Sequence, residues 1–355
     1  MSEKQQEHSY SPVRPLLAGD SVGGRRVEGF AWAGRNGEST HLDDRLLLAG
    51  DEILLEPPDR SVPQTADGAD PTGVIPPEDL PDRQLRPAAS IDPTLRARAV
   101  ALLNLEPWQP LMTSLLAAVN GAGHRIWLAG GAVRDLVAGA SVDKVNDMDL
   151  SGTVPPGRFT DLAYQCLRAA QMSECRTTIS PDSLVCAVTP PGSRDRLIEY
   201  RGLNRAGFRF PVVGSGLAED ARHRDFSFNA LLYDALDHIV LDTSGSGLAD
   251  LLGAELRFSP QCVSTDPMTQ AFIVVRAAKF AVRWRDKDLD LEPLHDWIAR
   301  LSRDLCRDFT DEEWTKLGKA YRKTVVGPEQ AQLEFAADLP EPGRELIEKL
   351  IGRAG

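Results

Sequence analysis

The spacing of apolar residues predicts a strand that runs directly into a helix near the middle of the chain. Residues 126–129 form a continuous apolar run, which is typical of a buried strand. Gly130 and Gly131 follow, and residues 132–137 have the pattern of a helix start. Between residues 94 and 120 leucines recur at helical spacing, so an amphipathic helical segment should precede the strand.

Downstream of this unit, the pattern predicts a short sheet with flanking helices and then a helical C-terminal part. A helix should begin at residues 155–156, and strands are predicted over 184–188 and 196–201. Past residue 258 the periodicity is helical, and Thr310 is a candidate N-cap. We therefore expect an α+β head domain, with a short mixed sheet, followed by helices.

The first part of the chain has a different character. Residues 21–58 alternate like short strands, with turn signals at residues 36–37 and 50–51, and predict a small antiparallel β module. Residues 57–93 are rich in Pro, Asp and Gly and predict a linker with little regular structure. The β module shows no chemistry of its own, so it is either an accessory cover or a partner-binding module. The expected division is an N-terminal tail and small β module over 1–58, a linker over 59–93, a head domain over 94–258, and a helical neck with C-terminal helices over 259–355.

Composition and charge narrow the function classes. The chain has 355 residues, 42% of them hydrophobic, which suffices for a substantial core and two or three domains. Its net charge of -12 gives no general attraction for nucleic acid, so RNA binding needs a local basic patch. The five cysteines are scattered without a CxxC pair, which favours free thiols in a reducing cytosol over a zinc site or a disulfide framework. No run approaches the length of a membrane span.

The strand–glycine–helix unit carries the first candidate site. Gly130 and Gly131 allow backbone N–H groups to approach an anion closely, and a helix N-terminus carries partial positive charge. Arg134 adds a guanidinium that can bind phosphate. These residues predict a phosphate-binding cradle.

A pair of carboxylates follows the cradle. In an extended segment Asp147 and Asp149 point to the same face, where their like charges repel unless a cation lies between them. Such a pair suits Mg²⁺, which binds one or two carboxylates plus substrate phosphates. Glu199 interrupts an apolar strand and is a candidate third carboxylate, although it can instead face solvent or pair with Arg201.

A second block of polar residues lies at 217–231. At helical spacing Asp225 and Asn229 share one face, where the carboxylate can accept a hydrogen bond from a ribose 2′-OH. Arg224 can reach phosphate. The alternative is a salt-bridge network, because Asp220 and Arg224 are also four residues apart.

Together the two blocks resemble the head-domain signature of the class II CCA-adding tRNA nucleotidyltransferases and bacterial poly(A) polymerases, which are polymerase-beta-like nucleotidyltransferases. The matching residues are Gly130, Gly131, Val133, Arg134, Asp135, Gly139, Asp147 and Asp149 in the first block and Asp220, Arg224, Asp225, Phe226, Asn229 and Ala230 in the second. The loop over 139–147 is longer than the family's, and His223 and Ser227 replace an arginine and a threonine.

The resemblance implies a polymerase-beta-like head that transfers NMP from an NTP to an acceptor. Asp147 and Asp149 would hold two Mg²⁺ ions and, with Glu199, form the catalytic carboxylates. The residues expected to bind the nucleotide are Gly130, Gly131, Arg134, Arg224, Asp225 and Asn229. ATP is the expected nucleotide, with CTP as a second candidate, and an RNA 3′ end is the expected acceptor.

The neck departs from the family pattern. The family reads the incoming base with an acid, an aspartate and an arginine, whereas this chain has Thr265, Asp266 and Thr269 there, with Arg276 farther along. We therefore expect selection between C and A to be weaker than in the family. Two other functions stay open. A nucleotidyltransferase that modifies a protein or small molecule is favoured by the short C-terminal region, and a degenerate regulatory module is favoured by the altered neck and the acidic charge.

Overall fold

The computed structural model describes residues 80–145, 147–180, 184–193, 195–203 and 216–353, together with three short strands near the N-terminus. Those strands are β1 (Ser21–Val22), β2 (Arg25–Phe30) and β3 (Leu46–Leu48), and they pair antiparallel in that order. They agree with the antiparallel pairing predicted for residues 21–58. The predicted turns at 36–37 and 50–51 lie outside the described residues.

The head is built on an eight-stranded mixed sheet. Its strands are β4 (Leu85–Pro87), β5 (Ile126–Ala129), β6 (Met148–Gly152), β7 (Arg176–Ile179), β8 (Cys186–Thr189), β9 (Ile198–Gly202), β10 (Leu231–Asp234) and β11 (Ile239–Asp242). Their order across the sheet is β4-β11-β10-β5-β6-β9-β8-β7. Only β6 and β9 run parallel to each other, and all other neighbours in this sheet are antiparallel.

The sheet begins earlier in the chain than the sequence predicts. Strand β4 lies within the segment 59–93 that was expected to be a linker, and it pairs with β11 through the partners Leu85 and Leu241. The prediction of irregular structure was therefore wrong for this part of the segment. A three-residue edge strand carries almost no periodicity, and Pro87 is tolerated there because one side of an edge strand needs no backbone donor.

Twelve α-helices, three short 3-10 turns and a second small sheet complete the described part of the chain. The helices are α1 (Ala88–Ile91), α2 (Leu95–Leu103), α3 (Gln109–Gly121), α4 (Gly130–Val137), α5 (Pro156–Ala169), α6 (Leu217–Ala221), α7 (Gly247–Leu252), α8 (Pro267–Arg283), α9 (Glu292–Ala299), α10 (Asp311–Thr324), α11 (Glu329–Asp338) and α12 (Gly343–Gly352). The small sheet pairs β12 (Leu256–Arg257) in parallel with β13 (Leu289–Asp290). Thr310 caps α10 through a capping box with Glu313, as predicted.

The two faces of the large sheet differ in chemistry. Leu150 and Tyr200 point into the main core, where they meet the buried faces of α3 and α5. Because successive strand residues point to opposite faces, Asp149, Ser151 and Glu199 lie on the other face. A smaller apolar cluster covers another part of that second face, and it comprises Leu80, Trp127, Ala129, Leu203, Leu217, Leu232 and Leu241. The side chains of β6 and β9 thus alternate between the core on one face of the sheet and the candidate site on the other.

An aromatic cluster holds helix α8 against the head. Phe280 stacks on Trp284, with 5.0 Å between ring centroids, and meets Phe226 and Phe228 edge-on at 6.0 and 5.5 Å. Such pairs add ~0.5–1.5 kcal/mol each beyond their buried area. Helices α10, α11 and α12 pack against α8 as well. Helix α8 therefore joins the head to the C-terminal helices.

Within the described residues, no helix is both long enough and apolar enough to cross a membrane. All five cysteines are free thiols, and three of them (Cys166, Cys186 and Cys306) are buried. This agrees with the expectation of unpaired cysteines. The expected cytosolic location stays a prediction.

Tyr200→Phe should lower the free energy of unfolding by about 1–2 kcal/mol. The Tyr200 hydroxyl donates to the carbonyl of Val154 at 2.6 Å inside the core, and its removal leaves that buried acceptor unsatisfied. Urea denaturation measures the change.

The matched control is Tyr321→Phe, because its hydroxyl donates at 2.7 Å to the partly buried side chain of Gln332, which can turn toward water. We expect a smaller loss in the control, and equal losses in the two variants would contradict the argument.

Candidate active site

The junction of β5 and α4 brings a glycine against the central carboxylate. Gly130 has φ +63°, a left-handed conformation that favours glycine, and a Cβ there would lie 2.6 Å from Oδ2 of Asp149. The preceding residue, Ala129, is the antiparallel partner of Asp149 across β5 and β6. The predicted strand–glycine–helix unit is therefore confirmed, and its first glycine is required for the close approach of Asp149.

The carboxylates predicted for the metal site lie along two neighbouring strands. Asp149 and Glu199 are register partners in the parallel pair β6 and β9, so their side chains leave the sheet on the same face. Asp147 is exposed and lies two residues before Asp149, just ahead of the strand. Glu199 forms an ion pair at 2.9 Å with Arg196, a partner that the sequence analysis does not name.

The negative charges around Asp149 affect the pKa of its carboxyl group. Burial and, after it, the charges of Asp147 and Glu199 raise the pKa of Asp149 to about 7, against the opposing effect of Arg224 and Arg276. A carboxylate with such neighbours is stabilised in its ionised form by any cation that binds beside it. The ordinary partner of such an arrangement is a hard divalent ion.

The residues present fit a magnesium ion in part. Asp147 and Asp149 supply two carboxylates at the end of one strand, and Mg²⁺ needs only one or two besides water and substrate phosphate oxygens. Among the described residues, however, no group of three or more histidine, cysteine, aspartate or glutamate side chains is arranged to hold a metal ion. Glu199 is thus close enough to influence Asp149 without completing a three-carboxylate cluster.

Arg134 lies in a place that the sequence does not predict. Its side chain is buried, and its guanidinium donates to Oδ1 of Asn229 at 2.8 Å and to Oδ1 of Asp135 at 2.9 Å. The guanidinium carbon lies 4.8 Å from the ring centroid of Phe280. In this arrangement Arg134 connects α4 to the second polar block and to α8, rather than extending toward solvent as a free phosphate ligand.

Asp225 and Asn229 meet as predicted, but not on a helix. Residue 226 is extended, and a short 3-10 turn over Ser227–Asn229 brings the Asn229 amide within 2.9 Å of Oδ1 of Asp225. The expectation of one helix face was therefore wrong, although the contact itself was right. Phe226 forms an isolated bridge with Pro260, and this pairing prevents the helix from continuing.

Asp225 also binds Arg276 of α8, a contact that the sequence does not predict. Its Oδ2 accepts from Nε of Arg276, while Oδ1 accepts from the backbone N–H of Phe226 at 2.8 Å. Burial alone would raise the pKa of Asp225, but Arg276, Asn229 and the Phe226 N–H together hold it below its usual value. Asp225 is thus ionised, and its ion pair with Arg276 holds helix α8 in place.

Arg224 is held by a buried ion pair on the site face of the sheet. Its guanidinium donates to Oδ2 of Asp220 at 2.8 and 2.9 Å and to Oγ of Ser151 at 3.1 Å. The salt bridge between Asp220 and Arg224, which the sequence offered as the alternative to phosphate binding, is present. It fixes Arg224 beside the strand that carries Asp149.

Three basic residues of α8 were missed as site residues. Arg276, Lys279 and Arg283 are spaced as i, i+3 and i+7 and share one side of the helix. Arg283 donates to Asp135 at 2.9 Å, whereas Lys279 forms no hydrogen bond or ion pair with any described residue. The detectable signal was charge at this spacing in a helix whose other residues from 271 onward are alanine, valine and further apolar types.

Lys279 has an environment suited to an anion. Burial lowers its pKa, and the positive charges of Arg276, Arg134 and Arg283 lower it further. A bound anion beside its ammonium group would offset this repulsion. The side of α8 that carries Lys279 is therefore a candidate phosphate contact.

Asp266, the residue that matches the base-reading motif, acts as a helix cap. Its Oδ2 accepts from the backbone N–H of Thr269 at 2.8 Å and from the Thr269 hydroxyl at 2.6 Å. A carboxylate used in this way is anchored to its own helix. The acid–aspartate–arginine arrangement of the family therefore has no counterpart in the described neck.

The chain is similar in sequence to known proteins over the part that holds this site. Residues 126–257 match the family model described as the poly A polymerase head domain. Poly(A) polymerase I of Escherichia coli O6:H1 is 31% identical over 173 residues, which cover 46% of this chain and 36% of that protein. Poly(A) polymerase I of Salmonella typhi is 29% identical over 177 residues, covering 48% and 36%. The matched part thus spans about a third of the length of these relatives.

Solved structures with a similar arrangement include two CCA-adding enzymes. The enzyme of Bacillus stearothermophilus, in complex with CTP, has a TM-score of 0.49 and 17% identity, covering 70% of this chain and 58% of that one. The enzyme of Thermotoga maritima, complexed with tRNA, has a TM-score of 0.42 and 16% identity, covering 71% and 60%. The similarity to the poly A polymerase head domain is a match in sequence over residues 126–257.

The raised pKa of Asp149 predicts a pH dependence of stability in chelator-treated protein. A protonated Asp149 stabilises the folded state fully below its unfolded pKa of 3.8, and this stabilisation is lost as the pH rises through about 7. Relative to Asp149→Asn, the wild type should therefore lose about 1–3 kcal/mol of unfolding free energy between pH 5 and pH 8.

Urea denaturation of both proteins at the two pH values measures this difference. The asparagine variant removes the titrating group while keeping the shape of the side chain, so other groups that titrate contribute equally to both proteins. Parallel pH profiles for the two proteins would show that Asp149 ionises normally.

Proposed function

We propose that the protein is a metal-dependent nucleotidyltransferase that adds NMP from an NTP to an RNA 3′ end, since residues 126–257 match the family model of the poly A polymerase head domain. The observation that carries the proposal is the position of Asp149. It lies against Gly130, beside Glu199, and under the influence of Arg224 and Arg276. Carboxylates and guanidiniums that converge in this way suit a triphosphate and its metal ion.

In the proposed mechanism, Asp147 and Asp149 hold the metal ions. Two bound Mg²⁺ ions would activate the attacking hydroxyl and neutralise charge on the triphosphate and the leaving pyrophosphate. Asp149 must be ionised to act as a ligand, and Arg224 favours that form. Glu199 is proposed to support Asp149 from the adjacent strand, in register with it.

The remaining predicted residues other than Arg134, together with two basic residues of α8, are proposed to bind the nucleotide. Backbone N–H groups of Gly130 and Gly131, at the start of α4, would face a phosphate, and Arg224 and Lys279 would add positive charge. Asp225 and Asn229 would form the ribose side, with Arg276 as the third member of that group. We assign Arg134 a supporting role, in which its hydrogen bond to Oδ1 fixes the Asn229 side chain.

The names of the relatives support a choice of acceptor and of nucleotide. The proteins that match this chain at about 30% identity are named poly(A) polymerase I, which favours ATP as the nucleotide and RNA as the acceptor. The altered neck leaves one alternative, a nucleotidyltransferase whose acceptor is a protein or a small molecule. The retained pair Asp147 and Asp149 argues against a degenerate regulatory module.

Asp147→Ala and Asp149→Ala should each lower the rate of nucleotide incorporation by ~10²-fold or more. Each removes a carboxylate that stabilises charge developing in the transition state. The measurement is incorporation of labelled ATP with Mg²⁺ into RNA or, without RNA, into the protein itself.

The control for these variants is Asp143→Ala, an exposed carboxylate on the same loop that accepts a hydrogen bond from the Ser141 hydroxyl. Wild-type rates in both test variants would place the metal site elsewhere. Label in the protein and none in the RNA would favour the alternative acceptor.

Nucleotide selection should differ from the ordered addition of C, C and A. Asp266 is held by Thr269, and Arg276 is held through its Nε by Asp225, so the two residues are anchored to different partners rather than arranged as a shared base reader. Such a contact gives ~1–3 kcal/mol of discrimination, about ten-fold or more. We expect one favoured nucleotide or loose selection.

The measurement offers CTP and ATP to tRNA that lacks its last three nucleotides. Incorporation that continues with a single nucleotide supports the prediction. Addition of C, C and A in order, followed by termination, would contradict it and indicate that base reading by the neck is intact.

A further inference from the structure

A charged pocket lies among the C-terminal helices, away from the residues assigned to nucleotide transfer. It encloses about 510 Å³ and is lined by residues of α10, α12 and the segment between α9 and α10. A volume of this size is in the range of small-molecule and cofactor sites. None of its residues has a role in the proposed transfer reaction.

The pocket has more positive than negative charge. Two of its four cationic side chains have partners, since Arg307 pairs with Asp304 at 3.2 Å and Lys349 pairs with Glu345 at 2.5 Å. The other two, Arg303 and Arg353, form no ion pair with any residue that the structure describes. On a chain with a net charge of -12, two unpaired guanidiniums in one pocket form a local site for an anion.

An indole ring orients one of these guanidiniums. The guanidinium carbon of Arg353 lies 4.6 Å from the ring centroid of Trp314, and Nζ of Lys349 lies 5.7 Å from the same ring. Trp314 is itself only 6% exposed, so it is a fixed surface for the arginine. Stacking leaves the edge of the guanidinium, with its N–H donors, free to form a bidentate contact. Phosphate is the anion that this geometry fits best.

The position of the pocket favours a phosphodiester chain over a free phosphate compound. Helices α10 and α12 pack against α8. Helix α10 carries Trp314, and α12 carries Lys349 and ends at its C-cap, Arg353. Helix α8 also carries Arg276 and Lys279 on the side that bears the candidate phosphate contact. A strand whose 3′ end lies at the head therefore has a basic pocket within the same helical assembly for its upstream phosphates.

We propose that this pocket binds backbone phosphates of a single-stranded RNA acceptor, through Arg303 and the stacked guanidinium of Arg353. The inference rests on the proposed function, because it takes RNA as the acceptor. The pocket contributes affinity for RNA and has no part in the chemical step. It supplies the local basic patch that RNA binding requires in an acidic chain.

The test measures binding of a labelled single-stranded RNA by fluorescence anisotropy over a series of salt concentrations. Arg303→Glu and Arg353→Glu should each weaken binding by about ten-fold or more, and each lost phosphate contact should reduce the slope of log K against log salt by about 0.7. Arg353→Lys should keep the slope but weaken binding, because it keeps the charge and loses the planar fork.

Lys316→Glu is the matched control. Lys316 is an exposed cation on α10, two residues from Trp314 and outside the pocket lining, and its reversal changes the net charge by the same amount. It should leave the salt slope unchanged. In the transfer assay, the pocket variants should raise KM for RNA and leave kcat at saturating RNA unaltered.

The outcomes separate this inference from the proposed function. Wild-type RNA affinity and salt slope in both Arg→Glu variants would overturn the inference, even if the enzyme adds nucleotides to RNA. Weaker binding of ATP or pyrophosphate with unchanged RNA binding would overturn it too, because the pocket would then hold a free phosphate compound. Loss of RNA binding in the variants would support the inference, whereas transfer of nucleotides only to another acceptor would overturn the proposed function and, with it, the identification of the bound RNA as the acceptor.

Discussion

The parallel pairing of β6 with β9 is the constraint on which the rest of the site depends. Its register makes Asp149 and Glu199 neighbours on one face of the sheet, and Asp147 adds a third negative charge just before β6. Burial and these like charges raise the pKa of Asp149 to about 7. The surrounding structure offsets this charge, with Arg224 fixed by Asp220 on the same face and Arg276 brought in by α8.

Helix α8 makes the neck part of the site rather than a separate support. Its aromatic residues pack against Phe226 and Phe228, and its arginines form ion pairs with Asp225 and Asp135. One partner in each ion pair is buried or nearly so, and a carboxylate left alone in such a place would be strongly destabilising. The same contacts that fix α8 therefore also fix the charges of the candidate site.

How much of this could be predicted depends on how local each feature is. The strand, the glycine and the helix around Gly130 were predictable, because periodicity and backbone conformation act over a few residues. The helix predicted over Asp225 and Asn229 was wrong, since a tertiary bridge from Phe226 to Pro260 replaces it. Arg276 was seen in the sequence but judged by its distance from Asp266, whereas its partner is Asp225, 51 residues earlier.

The sequence by itself determined the residue types of the site, the mixed α+β character of the head and the cap of α10 at Thr310, because these follow from composition, alternation and local hydrogen bonding. Only the tertiary structure decided which charges meet. It placed Arg134 against Asn229 in the interior, joined Arg276 to Asp225, and turned Asp266 into a helix cap. An ion pair or a buried hydrogen bond forms between residues that packing brings together, and packing depends on every element of the chain at once.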